Sequence, residues 1–460
     1  MLSSVWQHIT LNRFALYQWR EVSLIHRLLG FVRSWRHGSL LLQWGDVIGL
    51  VMVAIVFALA PYVSTTLIGV LLLACSAWWV LLTVADEAGE GLTPIHLLIA
   101  AYWGIMVLAT AVSPVKAAAI AGLIKLTLNI LLFLLMARVL RCPRLRMGLI
   151  TVYLLTALVV SVYGLRQWFF GAEALATWVD PTSNLAGTTR VYSYLGNPNL
   201  LAGYLIPAVM FSGVAVFAWA RWMPKLLAIV ALLVNTLCLV LTFSRGGWLG
   251  FVAAGFALLV LLMQFWSVRF TAFWQRWAMP LLIGGSVAFL VMAVAALEPL
   301  RDRVMSIFAG REDSSNNFRI NVWIAVIDMI KDRPFLGIGP GNDAFNKVYP
   351  FYQQPRYTAL SAYSVILEIA VEAGLIGLAI FFWLLTVTFG QGWRQLQHLR
   401  DRQSPYAYWL IAALATMVGM LVHGLVDTIW YRPQVSVLWW LMLALVASYY
   451  TDKPKALAPE

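Results

Sequence analysis

Charge is scarce in this chain: Asp, Glu, Lys and Arg make up 11% of its 460 residues. Soluble domains carry about 25%, so a water-facing surface cannot be covered and a soluble globular class is excluded. Acidic residues are scarcest, 20 against 32 Lys and Arg. The excess of +12 would suit nucleic acid, but the positions of the charges argue otherwise, and no nucleic acid is expected as a partner. Cysteine is rare too. Cys75, Cys142 and Cys238 are too scattered for a metal centre and support no redox reading. No compact apolar stretch ending in small residues opens the chain, so no cleavable signal peptide is evident.

What the chain has instead is apolar length. Hydrophobic residues make up 62% and mean hydropathy is +0.81. A spanning helix needs roughly 20 apolar residues. Twelve runs answer to that, near Leu42–Tyr62, Thr66–Ala85, His96–Val112, Ala117–Leu140, Met147–Trp168, Leu200–Ala220, Leu226–Phe243, Gly246–Trp266, Ala278–Leu297, Ala362–Phe389, Tyr406–Val426 and Val435–Tyr450. The fold class is therefore all-α, a polytopic helical membrane protein with about 12 spans. Membrane lipid is its first partner. The 22 Trp residues include Trp168, Trp266 and Trp430 at run ends, as in an aromatic belt at the headgroups.

Basic residues set the orientation. With the N-terminus in the cytoplasm, the inward turns hold Arg138, Arg141, Arg144 and Arg146, then Arg221 and Lys225, Arg269 and Arg276, and Arg394, Arg400 and Arg402. The short outward turns hold isolated charges, so the positive-inside rule is met; Asp86–Pro94 is an acidic exception among the inward turns. The chain divides into a basic N-terminal segment (1–41), nine spans (42–297), a large exoplasmic loop (298–361), three spans (362–450) and a cytoplasmic tail (451–460). The first segment, with Trp6, Phe14 and Trp19 among Arg13, Arg20 and Arg27, reads as an amphipathic surface helix or a partly ordered tail. Within the loop, Ile320, Trp323, Ile324, Ile327 and Ile330 share helical spacing. They predict a helix over Asn317–Lys331 with that face against the membrane.

Several residues carry possible chemistry. Arg245, in Ser244-Arg245-Gly246-Gly247, lies at an outward junction of two spans. An arginine at that depth needs an anion, a partner or water, or it snorkels to headgroups. Gly337-Ile338-Gly339-Pro340-Gly341-Asn342 lacks the Lys-Ser/Thr of a phosphate loop and reads as a tight turn. Asn197-Pro198-Asn199 is a helix start, and with Tyr192 and Tyr194 it is placed to line a pocket mouth. His423 and Asp427, four apart, share a helix face; an Asp there either fixes a His tautomer or caps a helix end. Two ligands are too few for a metal site, and no metal or other cofactor is expected. Lys125 lies about 12 Å and Glu368 about 9 Å inside their spans, at 1.5 Å per residue. With Glu372 they predict an intramembrane charge pair, either structural or part of an ion path.

The runs SRGGWLG (Ser244–Gly250), FRINVWIAVIDMIKDRPFLGIGPGN (Phe318–Asn342), LEIAVEAGLIGL (Leu367–Leu378) and the pair His423/Asp427 together resemble the O-antigen ligase and polymerase superfamily. A narrower resemblance, along nearly the whole chain, is to the IctB-type bicarbonate transporters of cyanobacteria, through YSYLGNPNLLAGYL, GREDSSNNFRINVW and TALSAYSVILEIAVE. The first implies a bacterial inner membrane protein that moves a glycan from an undecaprenyl diphosphate carrier. Arg245 and Arg319, and with them Arg311, would then bind the diphosphate. It also implies a His-Asn pair before the tenth span, where this chain has Tyr363-Ser364. A tyrosine of ordinary pKa, near 10, is a poor base at neutral pH, so His423, Asp427 and Tyr363 all stand as catalytic candidates. The narrower resemblance implies bicarbonate accumulation. Three readings follow: an anion transporter, a glycosyl transferase, or an accessory subunit of another membrane transporter.

Overall fold

The computed structural model describes residues 9–11, 38–85, 92–172, 189–296, 301, 305 and 310–450. The basic segment before the first span, apart from its few described positions, and the tail after Tyr450 lie outside these residues. The fold is all-α, with no strand among the described residues. Ten helices are long and apolar enough to cross a membrane: α2 Thr65–Val84, α3 Pro94–Ala111, α4 Lys116–Val139, α5 Pro143–Phe170, α6 Pro198–Ala218, α7 Trp222–Leu241, α8 Arg245–Trp266, α9 Ala272–Ala296, α12 Val365–Asp401 and α13 Ala407–Gly424. Two shorter apolar helices, α1 Gly45–Leu59 and α14 Pro433–Ser448, complete the correspondence with the twelve runs. Between α9 and α12 lie α10 Ser314–Asp332 and α11 Asn342–Val348.

Helices α6 and α13 are the centre of the bundle, with most of their residues buried inside the protein, whereas α9 is almost wholly peripheral. Helices α8 and α13 cross very closely. A Cβ on Gly250 would lie 2.6 Å from the Gly419 carbonyl oxygen, and one on Gly419 would lie 2.6 Å from the Ala254 Cβ. Gly246, Gly250 and Ala254 fall four apart, the small-residue spacing that lets helix backbones meet where lipid offers no hydrophobic drive. A buried hydrogen bond from Ser161 to Asn235 Oδ1, 2.7 Å, ties α5 to α7.

Helix α10 begins three residues earlier than its apolar spacing predicts, because Asp313 caps it by accepting from Asn316 N at 2.9 Å. Against the protein the helix buries another face. Val322, Ala325, Val326 and Met329 are enclosed, while Ile324 and Ile327 are exposed. The helix docks on a second apolar core shared with Ile338, Phe345, Tyr349 and Val371. This inner face, which also carries Asn321, is received by protein.

The tenth span is broken, not continuous. At Gly374 φ is +67° and ψ −174°. The turn after α10 inserts at the break. Leu375 N donates to Pro334 O at 2.7 Å, Ile338 N to Val371 O at 2.9 Å and Gly339 N to Glu372 O at 3.0 Å. A broken helix at membrane depth is tolerable only when its freed backbone groups find partners; the segment from Pro334 to Gly339 supplies them. A Cβ on Gly374 would lie 2.2 Å from the Phe335 carbonyl, so the positive φ and the close approach both require glycine.

Candidate functional site

The starts of α6, α8, α10 and α12 and the ends of α5, α7 and α13 meet at one end of the bundle. There Arg190, Arg245 and Arg319 come together. Arg245 Nη2 donates to Asp313 Oδ1 at 2.8 Å, and both side chains are largely enclosed, 11% and 21% exposed. Asp313 thus serves two ends, α8 through its arginine and α10 through its cap. Arg319 Nε donates to Val426 O at 2.9 Å, and its Nη1 to Ser315 Oγ at 2.5 Å. Arg190 donates through Nε to Thr242 O, 3.0 Å, and through Nη2 to Asn199 Oδ1, 3.3 Å. Burial, then Arg245 and Arg319, push its guanidinium down to about 10, so it is still cationic at neutral pH.

Asp427 faces this cluster from just beyond α13. It is buried, and Arg319, Arg190 and the Asn199 side chain all act on its carboxylate. Burial outweighs them and raises its pKa above the usual carboxylate value. Among the described residues, Arg245 pairs with Asp313, and Arg319 and Arg190 act on Asp427, in a low-dielectric setting. Sequence reasoning missed Arg190. It stands alone between a polar loop and a Tyr-rich turn, and nothing in its neighbourhood marks it as part of a cluster.

Tyr363 stands next to the cluster. Its φ is +49°, a left-handed conformation uncommon for a bulky residue. Its neighbours hold it there: Ala362 N donates to Glu368 Oε2 at 2.7 Å, Trp323 Nε1 donates to Ala362 O at 3.0 Å, and Glu368 N donates to Ser364 O at 2.8 Å. Its ring meets Phe318 edge to face at 5.4 Å. Burial and then Asp427 raise its hydroxyl to about 12, so it is neutral at neutral pH.

The other sequence candidates divide. His423 is fully enclosed in the α8–α13 crossing, where a Cβ on Gly246 would lie 2.8 Å from its ring. Among the described residues neither ring nitrogen has a partner, so the expected His423–Asp427 hydrogen bond is not made. Helix α13 ends at Gly424 and turns, which takes Asp427 off the histidine's helical face. The expected pairing of Lys125 with Glu368 or Glu372 is also corrected. Lys125 Nζ meets Asp343 Oδ2 of α11 at 3.0 Å, in an exposed pair (68% and 53%). Both glutamates instead hold backbone N–H groups freed by the loop, Ala362 N and Gly341 N, each at 2.7 Å. Arg311 is exposed and sits before α10. Asn197 caps α6, accepting from Asn199 N at 2.8 Å. Tyr192 follows Arg190 by two residues, and its N–H donates to Gln167 Oε1 at 3.1 Å. Among the described residues no group of His, Cys, Asp and Glu is arranged to hold a metal ion.

Residues 227–382 match the family model for O-antigen ligase (Wzy_C). This segment takes in Arg245, Asp313, Arg319, Tyr363 and Glu368, and it ends before Asp427. It supports an O-antigen ligase-like membrane protein of the ligase and polymerase superfamily. The comparison with curated proteins gives no match.

Proposed function

We propose that the protein binds a polyprenyl diphosphate-linked glycan, with undecaprenyl diphosphate as carrier, and transfers the glycan to an acceptor hydroxyl at the exoplasmic face of a bacterial inner membrane. The convergence of Arg190, Arg245 and Arg319 supports this reading, because a diphosphate needs several donors of fixed geometry and guanidinium groups supply them in pairs. In the step proposed, an acceptor hydroxyl gives its proton to Asp427 while its oxygen attacks the anomeric carbon. The bond from that carbon to the diphosphate oxygen breaks, and the carrier leaves as undecaprenyl diphosphate with its new charge held by the arginines. Tyr363 donates a hydrogen bond, and Asp427 takes the role of base that the superfamily gives to histidine. A carboxyl raised toward neutrality is suited to it.

Bicarbonate accumulation, implied by the narrower resemblance, has no support from the family match or from the curated comparison. The same holds for an accessory role beside other transport subunits. The test is made with purified protein. Incubation with an undecaprenyl diphosphate-linked glycan and an acceptor should release undecaprenyl diphosphate in step with glycosylated acceptor. Bicarbonate flux into liposomes holding this protein alone, without any such release, would replace this reading with transport.

A further inference from the structure

Beside the arginine cluster, at the end of α5, lies a cavity of about 360 Å³ lined by Tyr163, Arg166, Gln167, Tyr192, Ser193 and Tyr194. We propose that this cavity is a subsite for the sugar bonded to the diphosphate of the lipid-linked donor. The inference rests on the glycan-transfer reading and adds to it the place and chemistry of sugar recognition.

The wall is aromatic and rigid. Tyr194 stacks on Tyr163 with ring centroids 4.2 Å apart, and Tyr62 meets it edge-on at 4.8 Å. The Arg166 guanidinium stands 5.7 Å from the Tyr163 ring centroid. The back of the cavity is tied down. Gln167 Oε1 accepts from Tyr192 N at 3.1 Å and Ser193 N at 2.8 Å, and Ser193 Oγ donates to Val160 O at 2.6 Å. Its volume falls within the range of small-ligand sites, about 300–1,000 Å³. Among the described residues that line it there is no carboxylate. Tyrosines offer an apolar face for the C–H surface of a pyranose and a hydroxyl at its edge, and Arg166 adds donors for sugar oxygens.

The position fits the linkage. Arg190 and Tyr192 are two residues apart, so the backbone that carries the arginine lies within about 7 Å of the backbone of the cavity wall. Val191, between them, is anchored by its N–H to Leu241 O at 3.2 Å. A sugar attached directly to a diphosphate on Arg190 lies within reach of this wall, whereas the polyprenyl chain leaves from the other phosphate.

The experiment compares affinities of full-length protein in nanodiscs for bare undecaprenyl diphosphate and for undecaprenyl diphosphate-linked N-acetylglucosamine. Wild-type protein should favour the sugar-bearing carrier by about tenfold. Tyr194→Ala should erase that preference and keep the affinity for the bare carrier, which also reports that it is folded. Tyr194→Phe, which keeps the ring, should retain the preference. Equal affinity of the wild type for the two carriers, or an intact preference in Tyr194→Ala, overturns the subsite and leaves the diphosphate site standing. Failure of the wild type to bind either carrier overturns the diphosphate site, and the subsite with it.

Discussion

Asp427 is the residue on which the chemistry turns. Burial raises its carboxyl pKa even with two arginines in range, so the transfer rate should fall on the acid side at a pH above the ordinary aspartate value, about 3.9. Asp427→Asn should remove that acid limb and lower the rate by about 10²–10⁴-fold, the usual range for a general base. A pH–rate profile of both proteins checks this; an unchanged acid limb in the variant would assign the titration to another group. The sign for stability is opposite to the common carboxylate case. A carboxyl whose pKa is higher in the fold than in the unfolded chain costs stability above its folded pKa, and that cost fades as pH falls below it. Asp427→Asn should therefore leave thermal stability at neutral pH unchanged or slightly raised. Legibility at this scale was uneven. Arg245 stood out because an arginine next to apolar spans is costly, and Arg319 through the resemblance of its run to the ligase superfamily. Arg190 did not, since its partners come from α6 and α7 and from backbone carbonyls, none of which a linear pattern marks. His423 misled for the converse reason: a histidine four residues before an aspartate looks like a pair until the helix ends between them.

At the scale of elements, apolar run length located the twelve apolar helices among the described residues, because lipid demands continuous hydrophobic stretches and few other constraints compete. It could not show the break in α12. Leu367–Leu378 is apolar throughout apart from its two glutamates, and the break depends on a loop about 40 residues earlier that supplies Pro334 O as acceptor and Ile338 and Gly339 N–H as donors. Gly374→Ala should be severely destabilising, about 3 kcal/mol or more, since it combines a strained left-handed φ with a backbone clash. Thermal unfolding in detergent measures it, and a variant as stable as the wild type would mean that the break is not obligatory. The α8–α13 crossing makes a milder prediction. Gly250→Ala overpacks a backbone contact and should cost about 1–3 kcal/mol, with a secondary loss of activity because Arg245 opens the same helix.

For the whole molecule, the arrangement of helix ends places the arginine cluster, Asp427 and Tyr363 at one end of the bundle, and the Arg-rich turn holding Cys142 and Arg144 at the other. The positive-inside rule assigns the first to the exoplasm. Cysteine chemistry can check this with few changes, because Cys75 and Cys238 are buried and Cys142 is exposed. A membrane-impermeant maleimide should label Cys142 only in inside-out vesicles, and Gln353→Cys, in the loop before α12, only in right-side-out ones. The reverse pattern would put the site in the cytoplasm. The central claim, that the three arginines grip a lipid-linked diphosphate, is tested most directly by the affinity of purified protein for undecaprenyl diphosphate. Arg245→Ala removes a charge-assisted contact of about 1.5–3 kcal/mol and should weaken binding by about ten- to hundredfold, with Arg190→Ala following in the same direction. Undiminished affinity in both variants would contradict the account.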